Sequence, residues 1–210
     1  MRTRAAVTAL ALSILVVTAA TAGPPLGRGH GLATAQERWL TGQLLVATEE
    51  LRDPRFHRTV IYLVRHDRDG AMGLVVNRPI GPLPSADVLR AAGMDASGVT
   101  GELPVHAGGP VEPARRFVLH SAEGAAPGSR VVGSGIAVTV DPPMLGAIAR
   151  GTGPRRWLLL FGYAGWAPGQ LEGEIDAGAW ITVDADAALL FDTDPAQQWE
   201  RATARQPIRL

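Results

Sequence analysis

The stretch TVIYLVRHDRDGAMGLVVN, Thr59 to Asn77, decides how this chain folds. Thr59 to Val64 (TVIYLV) is a β-branched and aromatic run of strand length, apolar enough to be buried. RHDRDG follows as a polar turn ending in Asp69-Gly70. Met72 to Asn77 (MGLVVN) then returns as the partner strand of a hairpin. Arg78-Pro79 is expected to stop the ladder, because proline has no N–H to give it. Upstream, Gln43 to Ala47 is a short apolar strand. Downstream, Ser85 caps a short helix whose end is marked by Gly93. Strands are predicted at Val105 to Ala107, Phe117 to His120 and Gly135 to Val140, separated by Gly- and Pro-rich turns. Asp141-Pro142 opens a helix with a cap and an N1 proline, and Gly151 closes it. Met144, Leu145 and Ile148 give that helix one apolar stripe. Trp157 to Phe161 is the most hydrophobic strand and is expected at the centre. A turn from Gly162 to Gly169 leads into an acidic helix, Gln170 to Ala177. Trp180 to Val183 is a strand, and Pro195 to Arg205 a terminal helix capped at Thr193 or Asp194. Helices and strands mix without a strict βαβ rhythm. The fold class is therefore α+β: one compact domain with a bent, mainly antiparallel sheet and short flanking helices.

Composition bounds the function. The chain has 210 residues, 46% of them apolar, enough for one well-buried domain and short for two. Twenty basic and twenty acidic side chains balance, so no global field draws the protein to nucleic acid or an anionic membrane. Every basic residue is arginine, scattered along the chain, which reads as the habit of a GC-rich genome and not as an anion-binding array. The absence of cysteine excludes disulfides, thiolate catalysis, iron–sulfur clusters, cysteine-ligated zinc and a lipoprotein anchor.

Residues 1–22 read as a secretory signal. Arg2 and Arg4 form the charged region, Ala5 to Ala20 the apolar run, and Ala20-Thr21-Ala22 the cleavage site before Gly23; Ala33-Thr34-Ala35 is a weaker second site. The run is short for a membrane span, and none is expected once the signal is removed. The expected location is the periplasm or outside the cell. The alternative is a cytoplasmic protein whose start codon is placed too far upstream. Residues 23–41 read as a Gly/Pro-rich linker and residues 42–210 as the domain.

Candidate chemistry is thin. His66, His106 and His120 each sit at or near a strand end, where Asp67 or Glu112 could join them, but none has H-x-H or H-x₃-H spacing. No metal and no cofactor is expected. His120-Ser121 invites a nucleophile-and-base reading, yet neighbours on a strand seldom face each other, and there is no G-x-S-x-G elbow; Gly133-Ser134-Gly135 does not supply one. Glu172 and Asp176 fall on one helix face opposite Leu171 and Ile175, with Glu174 elsewhere, which reads as the solvated side of an amphipathic helix. The glycines are more suggestive. Gly108-Gly109-Pro110 follows a strand, and open glycine turns admit ligands to backbone amides. There is no Walker lysine and no G-x-G-x-x-G after a strand. If Asn77, Arg78, Gly108, Gly109, Gly165 and Trp166 line one cleft, it would suit a small anionic or peptide ligand. The alternative is that each glycine answers a turn and each tryptophan fills core.

Four segments, in order, resemble the YqgE/AlgH family of bacterial proteins: LRDPRFHRTVIYLVRHDRDGAMGLVVNRP (Leu51 to Pro79), AGGPVEPARRFVLHS (Ala107 to Ser121), GTGPRRWLLLFGYAGWAPGQLEGEI (Gly151 to Ile175) and AWITVDADAALLFDTDPAQQW (Ala179 to Trp199). The resemblance implies an α+β domain whose coiled sheet is bifurcated, and a regulatory role; the label of transcriptional regulator that some members carry is a genetic association. This chain departs from the family pattern in its export-like extension, in ending at QPIRL, and in Val64, where many members carry cysteine. The reading is a non-catalytic regulatory or interaction protein that binds an unidentified partner or small ligand in a Gly/Trp-lined cleft. One alternative is a hydrolase-type enzyme, which requires His66, His106 or His120 within reach of an acid or hydroxyl. The other is a transcriptional regulator, against which stands the lack of a basic face or an arginine-bearing recognition helix.

Overall fold

The hairpin forms, and it shows why its strands are so uniformly apolar. In the computed structural model, which describes residues 39–205, β1 (Gln43–Ala47), β2 (Val60–Asp67) and β3 (Gly70–Val75) make an antiparallel meander. Leu44 lies opposite Tyr62, and Tyr62 opposite Leu74. These three side chains enter one core, while Leu45, Ile61 and Val75 enter a second on the other face. A sheet buried on both sides needs near-continuous hydrophobic runs instead of alternation. The signal-like segment, nearly all of the linker and the QPIRL terminus lie outside the described residues.

Seven further strands follow: β4 (Pro79–Pro84), β5 (Glu102–Ala107), β6 (Val111–Ser121), β7 (Arg130–Gly133), β8 (Ile136–Thr139), β9 (Trp157–Trp166) and β10 (Trp180–Asp184). The sheet runs β10-β1-β2-β3-β9-β6-β8-β7. β9 is central, as its hydrophobicity predicts, but it is longer than Trp157 to Phe161. Gly162, Gly165 and Trp166 belong to the strand, and the turn is confined to the residues just after it. The C-terminal part of β9 pairs with β3, its middle runs parallel to β5, and its other edge takes β6. β5 in turn carries β4. The sheet is thus bifurcated at β9, and the fold is α+β.

The fork explains the glycines. Gly108 donates its N–H to Phe161 O at 2.7 Å, and its carbonyl accepts from Val75 N–H at 2.9 Å, so one residue joins both branches. Gly162 has φ 74°, and a Cβ there would lie 2.3 Å from Gly109 O. Backbone crosses backbone at a distance only glycine permits. At the opposite end the sheet curls into a half-barrel: Tyr62 Oη donates to Gly133 O at 3.4 Å and Arg130 Nη2 to Val64 O at 2.8 Å.

Four helices cover the faces. α1 (Ser85–Ala91) and α2 (Pro142–Ala149) bury Val88, Leu89, Met144, Leu145 and Ile148 against β5, β6 and β9. α3 (Gln170–Asp176) places Leu171 in the core that holds Leu45 and Ile61. α4 (Pro195–Thr203), with a π-helical turn at Ala188–Asp192, closes the remaining core, and Trp199 Nε1 donates to Ala47 O at 2.7 Å. Asp194 caps α4 by accepting from Ala196 N–H at 3.0 Å. Ser85 is not the cap of α1: it is the first helical residue, buried, and Pro84 precedes it without a side-chain bond. Pro79 does not end the sheet either. It opens β4, an edge strand with prolines at 79, 82 and 84, where missing N–H groups are tolerated and discourage pairing with another chain.

Candidate functional site

The acidic helix is not simply a solvated face. Glu174 Oε2 accepts from Trp166 Nε1 at 2.9 Å and from Trp180 Nε1 at 2.8 Å, and Gln170 Nε2 donates to Oε1 at 2.9 Å. The two indoles meet edge to face, with ring centroids 6.1 Å apart. A buried indole N–H needs an acceptor, and one carboxylate here serves two. Glu172 is also engaged. Leu40 N–H donates to His66 Nδ1 at 3.1 Å, so the proton sits on Nε2, which donates to Glu172 Oε1 at 2.9 Å. A β-bulge between Leu63 and Arg65 makes this contact possible. It shifts the phase of β2 by one residue, so that His66 emerges on the α3 side although Val64 enters the opposite core. Asp176 alone of the three acids is exposed and without a hydrogen bond among the described residues, in the way the amphipathic reading expects.

The six residues read as a possible cleft separate into groups. Asn77 Oδ1 accepts from Val60 N–H at 3.0 Å and its Nδ2 donates to Arg58 O at 2.9 Å, tying the mouth of the hairpin. Arg78 Nη2 donates to His57 O and to Thr59 Oγ1. Arg78 and Gly109 line a cavity of about 380 Å³ together with Phe56, Pro79, Ile80 and Pro110. Gly108 is buried at the fork behind it. Gly165 pairs with Met72, and Trp166 is buried beneath α3, bonded to Glu174. The structure therefore brings Arg78 and Gly109 together and places Gly165 and Trp166 apart from that cavity.

The histidines differ from one another. His106 is buried with Nδ1 unbonded, and burial holds its pKa below the ordinary imidazole value. His120 is buried and does not meet the side chain of Ser121. That hydroxyl donates instead to Glu123 Oε1 at 2.7 Å, a bond that keeps the Glu123 carboxyl below the usual range. The hydroxyl at His120 Nε2 is that of Ser129, at 3.1 Å, a residue no motif singled out. Among the described residues no three His, Asp or Glu side chains gather as a metal site would require, and no helix is long and apolar enough to cross a membrane.

Residues 44–210 match the family model described as AlgH-like. This chain belongs to the AlgH-like family. Relatives include UPF0301 proteins of Sphingopyxis alaskensis, 45% identical over 81% of this chain and 90% of that one, and of Methylococcus capsulatus, 45% identical over 81% and 93%. Among solved structures, the AlgH protein from Pseudomonas aeruginosa superposes with a TM-score of 0.70 at 38% identity, covering 85% of this chain and 94% of that one. A Corynebacterium diphtheriae protein superposes with a TM-score of 0.65 at 22% identity over 84% and 92%, a likeness of fold. The AlgH-like assignment thus rests on most of the chain, including the forked sheet and α3.

Proposed function

We propose that this AlgH-like protein acts as an interaction module, and that its contact surface is the cavity beside Phe56 and Ile80. The observation that carries the reading is Ile80, a large aliphatic side chain left 61% exposed at a concave site next to a guanidinium. The apolar walls carry two guanidiniums, Arg78 and an Arg55 already paired with Asp53, and few charged groups on an apolar wall are what a small-ligand or peptide site needs. Arg78 is anchored through a single nitrogen, which leaves the rest of its fork for a carboxylate. The favoured ligand is a peptide segment that places an apolar side chain beside an acid. Regulation would then follow from occupancy of this surface, without DNA contact, in keeping with the balanced charge.

A photoreactive amino acid at position 80, expressed in cells, tests this. Position 131, at Val131 with 58% exposure, serves as control. A discrete adduct from position 80 that is absent from position 131 and weakened by Arg78→Ala is the expected result. Equal yields from both positions would dismiss the surface. We further propose that the protein works in the periplasm after cleavage of its N-terminal signal, before Gly23 or at the weaker site before Gln36. Mass spectrometry of its N-terminus from cell fractions decides this: an end at Gly23 or Gln36 supports it, and an intact cytoplasmic end refutes it.

A further inference from the structure

We infer that Ser129 is a nucleophile with His120 as its general base, forming an acyl-transfer site distinct from the Phe56–Ile80 cavity. Ser129 is the last residue of the turn Ala126-Pro127-Gly128-Ser129. Its N–H donates to Ala126 O at 2.9 Å, and Gly128 has φ 91° after proline, the pattern of a type II turn. Thr139 Oγ1 donates to Gly128 O at 3.2 Å and anchors the turn to β8. The hydroxyl is therefore held on fixed backbone, as a reacting group must be.

Behind it, His120 is fully buried, at 0% exposure. Its Nδ1 lies 3.0 Å from Ser121 O, a carbonyl that can only accept, so the Nδ1 proton is assigned. Nε2 then carries the lone pair, 3.1 Å from Ser129 Oγ. Hydroxyl, imidazole acceptor and a group fixing the tautomer are the parts of an activated serine, with a backbone carbonyl in the position a carboxylate takes elsewhere. In front, the half-buried Ser129 lines a cavity of about 380 Å³ beside α2, with Pro127, Pro143, Met144, Ala147 and Pro154 as its apolar wall and Glu123, Asp141 and Arg155 as its charged part. The volume suits a short acyl ester whose acyl chain lies against the prolines and Met144.

In the reaction, Ser129 Oγ bonds to the acyl carbon while its proton passes to His120 Nε2 and the carbonyl pair moves to oxygen. The pair returns, the bond to the alcohol breaks, and the alcohol oxygen takes the proton from Nε2. Water then attacks the acyl-serine, giving a proton to Nε2 that is passed to the departing Oγ, and the carboxylic acid is released.

The test is fluorophosphonate labelling of the full chain with peptide mass mapping, alongside p-nitrophenyl acetate hydrolysis. One adduct at Ser129 is expected, with hydrolysis above the buffer rate. Ser129→Ala should abolish the adduct and lower hydrolysis to background. Ser134→Ala should change neither. His120→Gln should slow labelling about 100-fold or more, the smaller end of general-base effects. Because His120→Gln perturbs a buried position, its thermal midpoint is measured beside the labelling rate, and slowed labelling of a protein that remains folded is expected. No adduct at Ser129, or hydrolysis undiminished in Ser129→Ala, would overturn the assignment and leave the serine as a hydrogen-bond partner.

Discussion

Replacing Glu174 by alanine should destabilise the fold well beyond what a surface acid would. Its Oε2 accepts from Trp166 Nε1 and Trp180 Nε1, and both indoles are buried. A buried donor left without an acceptor costs about 1–3 kcal/mol. Two of them give a loss of about 2–6 kcal/mol. Glu174 itself is half-buried, so water can approach the vacated position, which favours the lower part of that range, about 2–4 kcal/mol. For a domain of this size the fall in Tm is roughly 4–16 °C. Urea unfolding followed by tryptophan fluorescence measures it, with the slope checked for constancy. Glu174→Gln keeps an acceptor oxygen and should lose about 1 kcal/mol. In a Trp166→Phe background one donor is gone, so Glu174→Ala should cost about half as much. A Glu174→Ala protein within about 0.5 kcal/mol of the unaltered one, the ordinary surface range, would refute the two-indole account. So would a Glu174→Gln protein as damaged as the alanine variant, since charge and not hydrogen bonding would then be the cause.

Gly162→Ala should cost about 2–6 kcal/mol, combining positive φ with collision against Gly109 O. Gly169→Ala has the same φ of 74° in open space and should cost about 1–2 kcal/mol; equal losses in denaturant titrations would remove the crossing from the explanation. His66→Phe deletes both bonds of the ring, and hydrogen exchange at the Leu40 amide should accelerate at least tenfold, with unchanged protection counting against the link. His106 sets a pH dependence. Burial lowers its folded pKa, while the unfolded ring titrates near the ordinary value of about 6.5. Unfolding therefore takes up a proton in that window. The contribution to stability is complete above about pH 6.5 and is lost as pH falls through the lowered folded value. His106→Gln should flatten the urea midpoint against pH below neutrality, and an unaltered slope would assign the effect elsewhere.

Much of the fold is legible in the residues because its causes are local. Strands buried on both faces announce themselves by unbroken apolar runs, as at Thr59 to Val64. α2 is bracketed by Pro142 and by Gly151, whose φ is 71°. The length of β9 was not legible, because Gly162 and Gly165 are read as breakers unless the crossing of Gly109 at Gly162 and the pairing of Gly165 with Met72 are known. β7, with only four residues, and the π-helical turn at Ala188–Asp192 carry too little periodicity to register. The proposed sites were less accessible still. His66 reaches Glu172 because a bulge moves it to the other face, and Glu174 serves two tryptophans on different strands. The sequence invites pairing of His120 with Ser121, but successive strand residues point to opposite faces, and the hydroxyl arrives instead from a separate turn. Gly108 and Gly109 are recognisable as close backbone approaches, though not as an approach to β9 in place of a ligand.

The fork at β9 also sets an order of events during synthesis. β3, β5 and β6 all leave the ribosome before the one strand that joins them, and β1 waits longer still for β10. The bond from Trp199 to Ala47 closes across 152 positions, so the first strand is sealed only by the last helix. Long-range pairing of this kind folds slowly and late. A growing chain that has reached Arg150, at the end of α2, therefore holds several apolar strands and no centre on which to assemble them. Such a chain exposes apolar surface and unpaired strand edges while it grows, the features that favour aggregation. By the same token a chain cut before Ala179 loses the partner of β1 along with the terminal helix, so the two ends of the domain stand or fall together.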